Sequence, residues 1–265
     1  MPRTLLGVAG FPVAHSRSPA MHNAALAELG LDWLYLPLPL PADRFAETVR
    51  ALPGSGFRGV NVTVPHKLAA HQLADARTAS AAAIGAANTL TFTDGRILAD
   101  NTDAGGFLDA LAVPAKPLRA IVLGAGGSAR AVAWALVDAG AREVWVWNRT
   151  PERAAALASD LGARHCEHPP RADLLVNCTS VGLDPSTTEE EALEALGLAD
   201  YEPPAIVVDL VYASDPTPLT RWARRAGARV VDGLEVLVGQ GARSLEGWTA
   251  RRVPVDIMRR AARGR

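Results

Sequence analysis

The sequence contains very little lysine. Of its 27 basic residues only two, Lys67 and Lys116, are lysine, and the other 25 are arginine. Arginine stays charged at any working pH, whereas a lysine can release and regain a proton when its surroundings lower its pKa. Lys67 closes the segment Asn61–Lys67, which begins as an apolar strand pattern. It is therefore a candidate acid/base, although an exposed helix lysine explains it equally well when it is taken alone. Lys116 lies in a proline-punctuated linker and indicates no role.

The sequence also lacks the features of several protein classes. Cys166 and Cys178 have no zinc-type spacing and are too few for a disulfide framework, which makes a reducing cytoplasm the expected location. A net charge of −1 provides no basic patch for nucleic acid, so anionic ligands must be bound by local sites. No apolar window approaches the length of a membrane helix, and Leu5–Ala14 is interrupted by glycine and proline without a clear cleavage signal. We expect a globular protein, monomeric or homodimeric, that binds a small molecule and no membrane, nucleic acid or metal.

Strand and helix patterns alternate through the first hundred residues, and an apolar fraction of 49% is ample for a core. In Pro19–Leu29, for example, Met21, Ala25 and Leu29 recur every four residues on one helix face. The predicted helices of this block are Pro19–Leu29, Asp43–Leu52, Lys67–Leu73 and Thr78–Ile84. The predicted strands are Leu5–Ala9, Trp33–Leu38, Gly59–Val64 and a hairpin of Ala87–Thr93 with Arg96–Ala99.

A second block begins after a connecting helix at Ala104–Leu111. Its predicted elements are the helix Ser128–Ala139 and the strands Ala120–Leu123, Glu143–Trp147, Leu174–Cys178, Ile206–Leu210 and Arg229–Val231. This alternation predicts a parallel, doubly wound sheet. The final helices, Leu234–Leu245 and Val255–Ala262, are predicted to pack back on the first block. The fold class is thus α/β, with an N-terminal domain at 1–103, a Rossmann-type domain at 104–235 and returning helices at 236–265.

A glycine-rich turn joins the first strand of the second block to its helix. Its residues are Gly124, Ala125, Gly126, Gly127, Ser128 and Ala129. The glycines permit a tight turn and a close backbone approach, and the helix N-terminus faces the pyrophosphate of a dinucleotide. Tight turns need glycine for structural reasons alone, but the strand before and the helix after favour a dinucleotide site.

The end of the next strand favours NADP(H) over NAD(H). NAD enzymes carry Asp or Glu there to bind the ribose hydroxyls. Here Trp147 is followed by Asn148, Arg149 and Thr150, and Arg153 lies one helical turn beyond. Arg149 can pair with a 2′-phosphate and Asn148 can donate to it. An ordinary surface arginine is the alternative, yet the position predicts NADP(H) as the cofactor.

Two serines stand before the first helix of the chain. Ser18 followed by Pro19 is typical of a helix N-cap with proline at the first helical position. This structural explanation leaves Ser16 unaccounted for. Two hydroxyls beside a helix N-terminus also make a natural carboxylate site.

Other polar residues fall at the ends of predicted strands. Asn61 and Thr63 are two apart and share one face of a strand, opposite Val60, Val62 and Val64. Buried polar side chains need partners, which are either internal groups or a ligand. Further on come Asn88 and Asp103, of which Asp103 is equally well explained as a helix cap when it is taken alone.

Eight stretches of the chain, in order, carry a family resemblance. They are Gly10–Pro19, Asn61–Lys67, Gly85–Leu90, Asn101–Gly106, Gly124–Ala129, Asn148–Thr150, Asn177–Gly182 and Gly239–Gly241. Together they resemble the shikimate dehydrogenase family over nearly the whole chain. The resemblance implies reversible reduction of 3-dehydroshikimate to shikimate by NADPH, in a cleft between a substrate domain and a cofactor domain.

The resemblance also implies roles for individual residues. Lys67 would be the general acid/base, with Asp103 beside it. Ser16 and Ser18 would hold the substrate carboxylate, and Tyr212 would close the site near it. The ring hydroxyls would be held by Asn61, Thr63, Asn88, Asp103 and Gln240. Backbone near Leu210 and Gly233 would line the nicotinamide. Hydride transfer to a ketone leaves charge on oxygen, so a positioned proton donor such as Lys67 fits the chemistry.

Two other functions remain open at this point. The first is a quinate/shikimate dehydrogenase that uses NAD, against which Asn148 and Arg149 argue. Ser18 also argues against it, because quinate users tend to have threonine there. The second is a non-catalytic NADP-binding regulator that has kept the fold. The presence of Lys67, Asp103 and Gln240 together argues against that hypothesis.

Overall fold

The computed structural model describes residues 3–213 and 215–264, which divide into two compact units. One unit comprises residues 3–106 with 237–264, and the other comprises residues 107–236. The strands are β1 Thr4–Gly10, β2 Trp33–Pro39, β3 Phe57–Val62, β4 Ala76–Arg77, β5 Thr89–Thr93, β6 Arg96–Asp100, β7 Arg119–Leu123, β8 Glu143–Trp147, β9 Arg164–His165, β10 Leu174–Asn177, β11 Ile206–Asp209 and β12 Arg229–Asp232. The helices are α1 Ser18–Glu28, α2 Phe45–Ala51, α3 Lys67–Leu73, α4 Ala79–Ile84, α5 Asp103–Leu111, α6 Gly127–Asp138, α7 Pro151–Leu161, α8 Glu189–Ala195, α9 Pro218–Arg225, α10 Gly233–Thr249 and α11 Val255–Ala262.

The first unit is built on a mixed six-stranded sheet in the order β2-β1-β3-β5-β6-β4. Strands β1, β2 and β3 run parallel, whereas β5 is antiparallel to both β3 and β6. The carboxyl ends of β1, β3 and β6 therefore lie at the same edge as the amino end of β5. Consequently the segments that follow Gly10, Val62 and Asp100 and the one that precedes Thr89 meet at one edge of this sheet.

Apolar strand faces and helix faces form the core of this unit. Phe45 and Val49 of α2 pack with Val60, Leu90 and Phe92 of the sheet, and all five are buried. Helix α11 packs on α1, which confirms the prediction that the C-terminal helices return to the first block. The indole N–H of Trp248 in α10 donates to the carbonyl of Leu90 at 3.3 Å and thereby attaches that helix to β5.

Two predictions at the start and end of elements were wrong in detail. Strand β3 ends at Val62, and Val64 is 67% exposed where the strand pattern placed it on a buried face. Helix α1 begins at Ser18, with Arg17 as the N-cap residue and no side-chain cap at that position. The hydroxyl of Ser16 instead accepts from the N–H of Ser18 at 3.2 Å, so Ser16 satisfies a donor that the helix leaves free.

The second unit carries a fully parallel six-stranded sheet in the order β12-β11-β10-β7-β8-β9. The doubly wound prediction is confirmed, and the strand order reverses between β7 and β10. Apolar residues such as Ile121, Leu175 and Val207 are completely buried because helices cover both faces of such a sheet.

Helices α7, α8 and α9 and the two-residue strands β4 and β9 were not assigned from the sequence. Among the described residues, no helix is long and apolar enough to cross a membrane.

Candidate active site

A lysine–aspartate pair lies at the polar edge of the first unit. Lys67 is the first residue of α3 and Asp103 is the first residue of α5. The ammonium Nζ of Lys67 donates to Oδ2 of Asp103 at 2.7 Å, and the two side chains are only 12% and 14% exposed. The N-terminus of α5 also favours a negative charge at Asp103. The structure thus joins two residues that are 36 positions apart in a charge-assisted, nearly buried hydrogen bond.

Asn88 connects this pair to its surroundings. Its Nδ2 donates to Oδ1 of Asp103 at 2.9 Å, so both carboxylate oxygens of Asp103 are engaged. The same amide nitrogen, which carries two hydrogens, also lies within hydrogen-bond distance of Oε1 of Gln240 at 3.0 Å and of the hydroxyl of Thr102 at 2.9 Å. Its Oδ1 accepts from the N–H of Thr102 at 2.7 Å. Asn88 is 2% exposed and has a fixed orientation, because donors and acceptors surround it on both sides.

Glycines allow Gln240 to lie close to Asn88. A Cβ at Gly106 would lie 2.3 Å from the backbone nitrogen of Gln240, and one at Gly239 would lie 2.8 Å from the carbonyl oxygen of Gly106. Helices α5 and α10 can therefore approach this closely only without side chains at these two positions. The side chain of Gln240 is held on its other end by the carbonyl of Leu237, which accepts from Nε2 at 2.8 Å.

Asn61 is buried and contacts the backbone of Asn88. Its Oδ1 accepts from the hydroxyl of Tyr35 at 2.8 Å, and its Nδ2 donates to the hydroxyl of Ser244 at 3.0 Å. The same nitrogen lies 3.1 Å from the hydroxyl of Thr89 and 3.2 Å from the carbonyl of Asn88. The internal-partner explanation of this residue is therefore satisfied in full. The sequence pattern had left both internal groups and a ligand open as partners.

Ser16, Ser18 and Thr63 follow β1 and β3 and therefore lie at the same sheet edge. Ser16 is partly exposed and Ser18 is 3% exposed. Thr63 follows β3, and its N–H donates to the carbonyl of Ala9 at 2.9 Å. A Cβ at Gly10 would lie 2.3 Å from the Thr63 methyl, so the glycine admits Thr63 beside the end of β1.

His22 lies in α1, one turn after Ser18, and no role was predicted for it from the sequence. Its Nδ1 donates to the carbonyl of Ser18 at 2.9 Å, and its ring stacks on Tyr35 with centroids 4.0 Å apart. Burial lowers the pKa of His22 to about 4, so the ring is neutral at physiological pH. Ser18 and Asn61 are thus linked through the stacked pair of His22 and Tyr35.

The glycine-rich turn of the second unit has an open, exposed backbone. Gly124 has a φ of +109°, and its N–H donates to the carbonyl of Trp147 at 2.8 Å, which places the ends of β7 and β8 side by side. Gly126 is exposed and has open space where a Cβ would be, so a ligand can approach its backbone. Helix α6 starts at Gly127 after the N-cap residue Gly126, and its first turn includes Ser128 and Ala129. Ala125 lies two positions before the helix. The free N–H groups of the helix face this opening.

The residues after β8 form a basic, exposed group. Arg149, Thr150 and Arg153 are all exposed, and Nδ2 of Asn148 donates to the carbonyl of Thr150 at 2.9 Å. Thr150 precedes the first turn of α7, in which Arg153 lies. No carboxylate follows β8 at the position where one would bind ribose hydroxyls. This arrangement suits a phosphate better than a free hydroxyl pair.

The ends of β10 and β11 carry a polar pair of which only Asn177 appears in the motifs above, without a role. Asn177 and Asp209 are opposite each other in the sheet, and Nδ2 of Asn177 donates to Oδ1 of Asp209 at 2.9 Å. Both are completely buried, and burial raises the pKa of Asp209 to about 6. Ligands of such a sheet bind outside the carboxyl ends of its strands, and this rule, applied to β10 and β11, would have drawn attention to both residues.

The remaining predicted residues lie beside this pair. Leu210 and Tyr212 follow β11, and Tyr212 is half-buried in the second unit. Gly233 begins α10, and a Cβ there would lie 2.5 Å from the carbonyl oxygen of Leu210. Glycine at this position therefore permits the close approach of the segments that follow β11 and β12.

Three family models match the chain in sequence order. The shikimate dehydrogenase substrate binding domain matches residues 8–90, the shikimate / quinate 5-dehydrogenase model matches residues 111–210, and the shikimate 5′-dehydrogenase C-terminal domain matches residues 233–263. The stretches quoted from the sequence fall largely within these ranges.

Known proteins resemble the chain over nearly all of its length. A shikimate dehydrogenase (NADP(+)) of Methanothermobacter thermautotrophicus is 40% identical over 266 residues, covering 95% of this chain and 93% of that protein. One of Methylobacterium radiotolerans is 47% identical over 257 residues, covering 91% and 89%. The crystal structure of shikimate 5-dehydrogenase from Thermus thermophilus, in complex with NADP(H) and shikimate, superposes with a TM-score of 0.87 at 42% identity, covering 98% of this chain and 99% of that one.

Proposed function

The chain belongs to the shikimate dehydrogenase family, and we propose that it catalyses the reversible reduction of 3-dehydroshikimate to shikimate with NADPH. The observation that carries this proposal is the Lys67–Asp103 pair. The pair supplies a proton donor and a carboxylate, and the amides of Asn88 and Gln240 lie beside it at the same sheet edge. The second unit adds a glycine turn and a basic group suited to a phosphorylated dinucleotide.

Lys67 would supply the proton of the reaction. NADPH, when bound, supplies the hydride. Charge develops on the carbonyl oxygen as the hydride adds, and the ammonium of Lys67 would donate a proton to that oxygen. Asp103 would hold the ammonium in place through its Oδ2, while Asn88 fixes Oδ1. In the reverse direction Lys67 would accept the proton of the alcohol.

The other polar groups of this edge would orient the substrate. Ser16 and Ser18 stand where the N-terminus of α1 favours an anion, which supports their proposed role as carboxylate ligands. Thr63, Asn88, Asp103 and Gln240 would hold ring hydroxyls. Asn61 would act mainly by fixing Asn88 and Thr89, because its amide is already bonded to four internal partners.

We propose NADP(H) as the cofactor. Gly124, Ala125, Gly126, Gly127, Ser128 and Ala129 would hold the pyrophosphate, Asn148, Arg149, Thr150 and Arg153 the 2′-phosphate, and Leu210 and Gly233 the nicotinamide, with Tyr212 near the substrate carboxylate. The exposed positions of Arg149 and Arg153, and the asparagine in place of a carboxylate directly after β8, support this choice.

A matrix of activities tests the proposal. Oxidation of shikimate and of quinate is followed by absorbance with NADP+ and with NAD+ over a range of pH. We expect shikimate with NADP+ to give the highest kcat/KM. Preference for quinate with NAD+ would reassign the chain to the quinate-using branch. Absence of turnover at every pH, with NADPH still bound, would favour a non-catalytic regulator.

The cellular setting belongs to the same proposal. We propose a small-molecule enzyme of the cytoplasm, active as a monomer or a homodimer. Neither Cys166 nor Cys178 forms a disulfide, which fits a reducing compartment.

A further inference from the structure

A buried carboxylate anchors the segment that follows β11. Oδ1 of Asp209 accepts from the backbone N–H of Val211 at 3.1 Å and from Nδ2 of Asn177 at 2.9 Å. Oδ2 accepts from the hydroxyl of Thr217 at 2.6 Å, and Thr217 in turn caps the N-terminus of α9. All three donors are neutral, and Asp209 is completely buried. Burying a carboxylate without a cation is costly, so this position is held for a structural or functional requirement.

The same cluster extends to the turn after β10. Oδ1 of Asn177 accepts from both the N–H and the hydroxyl of Thr179, at 3.0 and 2.7 Å. The methyl of Thr179 lies where it would be 3.2 Å from a Cβ at Gly124. Asp209 and Asn177 together therefore hydrogen-bond two segments at the carboxyl edge of the sheet, residues 178–181 and residues 210–212, and Thr179 of the first lies beside the glycine turn.

The strand order indicates which half of the cofactor meets these segments. A dinucleotide lies across the point where the strand order reverses, which is between β7 and β10. The end of β8, with Asn148 and Arg149, lies on the side that binds the adenosine ribose. The nicotinamide half must then lie over the ends of β10 and β11, directly above Asn177 and Asp209.

We propose that Asp209 is a positioning residue, which sets the backbone of residues 210–212 for the nicotinamide half of the cofactor through Val211, Asn177 and Thr217. The inference rests on the proposed function because it takes the ligand to be NADP(H). Asp209 does not touch the cofactor itself. It fixes the residues that do.

Calorimetric binding of two ligands to the full chain tests the proposal. NADPH contains both halves of the cofactor, whereas 2′,5′-ADP contains only the adenosine half with its 2′-phosphate. We expect Asp209→Ala to raise the Kd of NADPH about tenfold through the loss of hydrogen bonds to a charged group, and to leave the Kd of 2′,5′-ADP unchanged. Asp209→Asn should have a smaller effect, because an amide oxygen still accepts from Asn177 and Val211 while Thr217 rotates its hydroxyl to accept.

Matched variants separate positioning from general destabilisation. Asp173 precedes β10 at the opposite edge of the same sheet and pairs with Arg119 at 3.0 Å. Asp173→Ala should leave the ratio of the two dissociation constants unchanged. Thr217→Ser should bind both ligands like the parent chain, and Thr217→Val should weaken only NADPH, which also provides the test if Asp209→Ala does not fold.

Two results would overturn the inference. If Asp209→Ala weakens both ligands by the same factor, the role of the residue is structural only. If it weakens neither, residues 210–212 do not depend on it. Because the measurement is binding, a failure of the proposed shikimate activity would be seen separately, in the turnover assay of the parent chain. Where turnover is present, kcat should fall in Asp209→Ala.

Discussion

Two aspartates, one in each unit of the chain, occupy opposite environments. Asp103 in the first unit is 14% exposed and bonded to the ammonium of Lys67, whereas Asp209 in the second unit is completely buried and bonded only to neutral donors. Burial therefore raises the pKa of Asp209 to about 6. A partly exposed charged pair can exchange protons with a substrate, while a buried carboxylate with fixed donors can hold a backbone segment. An aspartate thus holds the ammonium of Lys67 in one unit and the backbone N–H of Val211 in the other.

The comparison is tested most severely at Lys67. Lys67→Ala should lower kcat by about 10²–10⁴, the usual contribution of one general acid/base, with a much smaller change in substrate Kd. Lys67→Arg keeps the positive charge and should still lose most turnover, because a guanidinium does not deprotonate. Steady-state oxidation of shikimate measures both, with Lys116→Ala as the matched control. An unchanged kcat in Lys67→Ala would exclude the acid/base role.

The second prediction concerns stability and the buried aspartate. The pKa of Asp209 is about 6 in the folded chain and close to 3.8 when unfolded. The folded state therefore binds more protons between these values, and stability attributable to Asp209 falls as the pH rises from about 4 to about 6. Asp209→Asn removes this cost. The free energy of unfolding of Asp209→Asn, relative to that of the parent chain, should therefore increase as the pH rises over that range, to an upper limit of about 3 kcal/mol.

Urea unfolding of both proteins at several pH values between about 4.5 and about 7.5 checks this. Parallel pH profiles for the parent and Asp209→Asn would mean that burial does not raise the pKa of this carboxylate. Asp173→Asn provides a contrast, because Arg119 lowers the pKa of Asp173 and its stabilising contribution is present above the unfolded pKa.

A third prediction extends the comparison to a fully exposed group. Arg149→Ala should weaken NADPH binding by roughly 1.5–3 kcal/mol, the usual contribution of hydrogen bonds to charged groups, and should spare NADH. Unlike the buried Asp209, Arg149 should leave the thermal stability of the chain unchanged, because it is exposed. Titration of each cofactor measures the effect. Equal losses for NADPH and NADH would refute a contact with the 2′-phosphate.

The smallest expected effect concerns the helix packing that brings Gln240 close to Asn88 and the Lys67–Asp103 pair. Gly106→Ala would place a methyl 2.3 Å from the backbone nitrogen of Gln240, and we expect a loss of about 1–2 kcal/mol in unfolding free energy. Gly247 lies in α10, the helix that carries Gln240. A methyl added by Gly247→Ala meets no atom within 4 Å, so this variant should be neutral or slightly stabilising. Denaturation of the two variants side by side decides whether close helix approach, rather than glycine itself, matters here.

Much of the fold followed from local pattern. The helices Lys67–Leu73 and Val255–Ala262 and the strand Glu143–Trp147 were predicted to the residue, because their apolar periodicity and flanking prolines or polar residues are clear. Helices α7, α8 and α9 and the two-residue strands were not assigned. Strand β3 was extended by two residues because Val62 and Val64 continue an alternating pattern after the backbone has left the sheet.

The sequence by itself determined the fold class, the glycine turn, the basic group at Arg149 and the family. These features depend on short-range spacing and turn chemistry, which a linear pattern records. Tertiary structure alone decided that Asn88 contacts Gln240 across 152 positions and that Asn177 faces Asp209. Such contacts depend on strand order, register and the distance between helices, for which no local spacing carries a signal. Lys67 was a candidate from composition, and the family resemblance implied that Asp103 lies beside it. The folded chain adds the distance between their charged atoms, 2.7 Å.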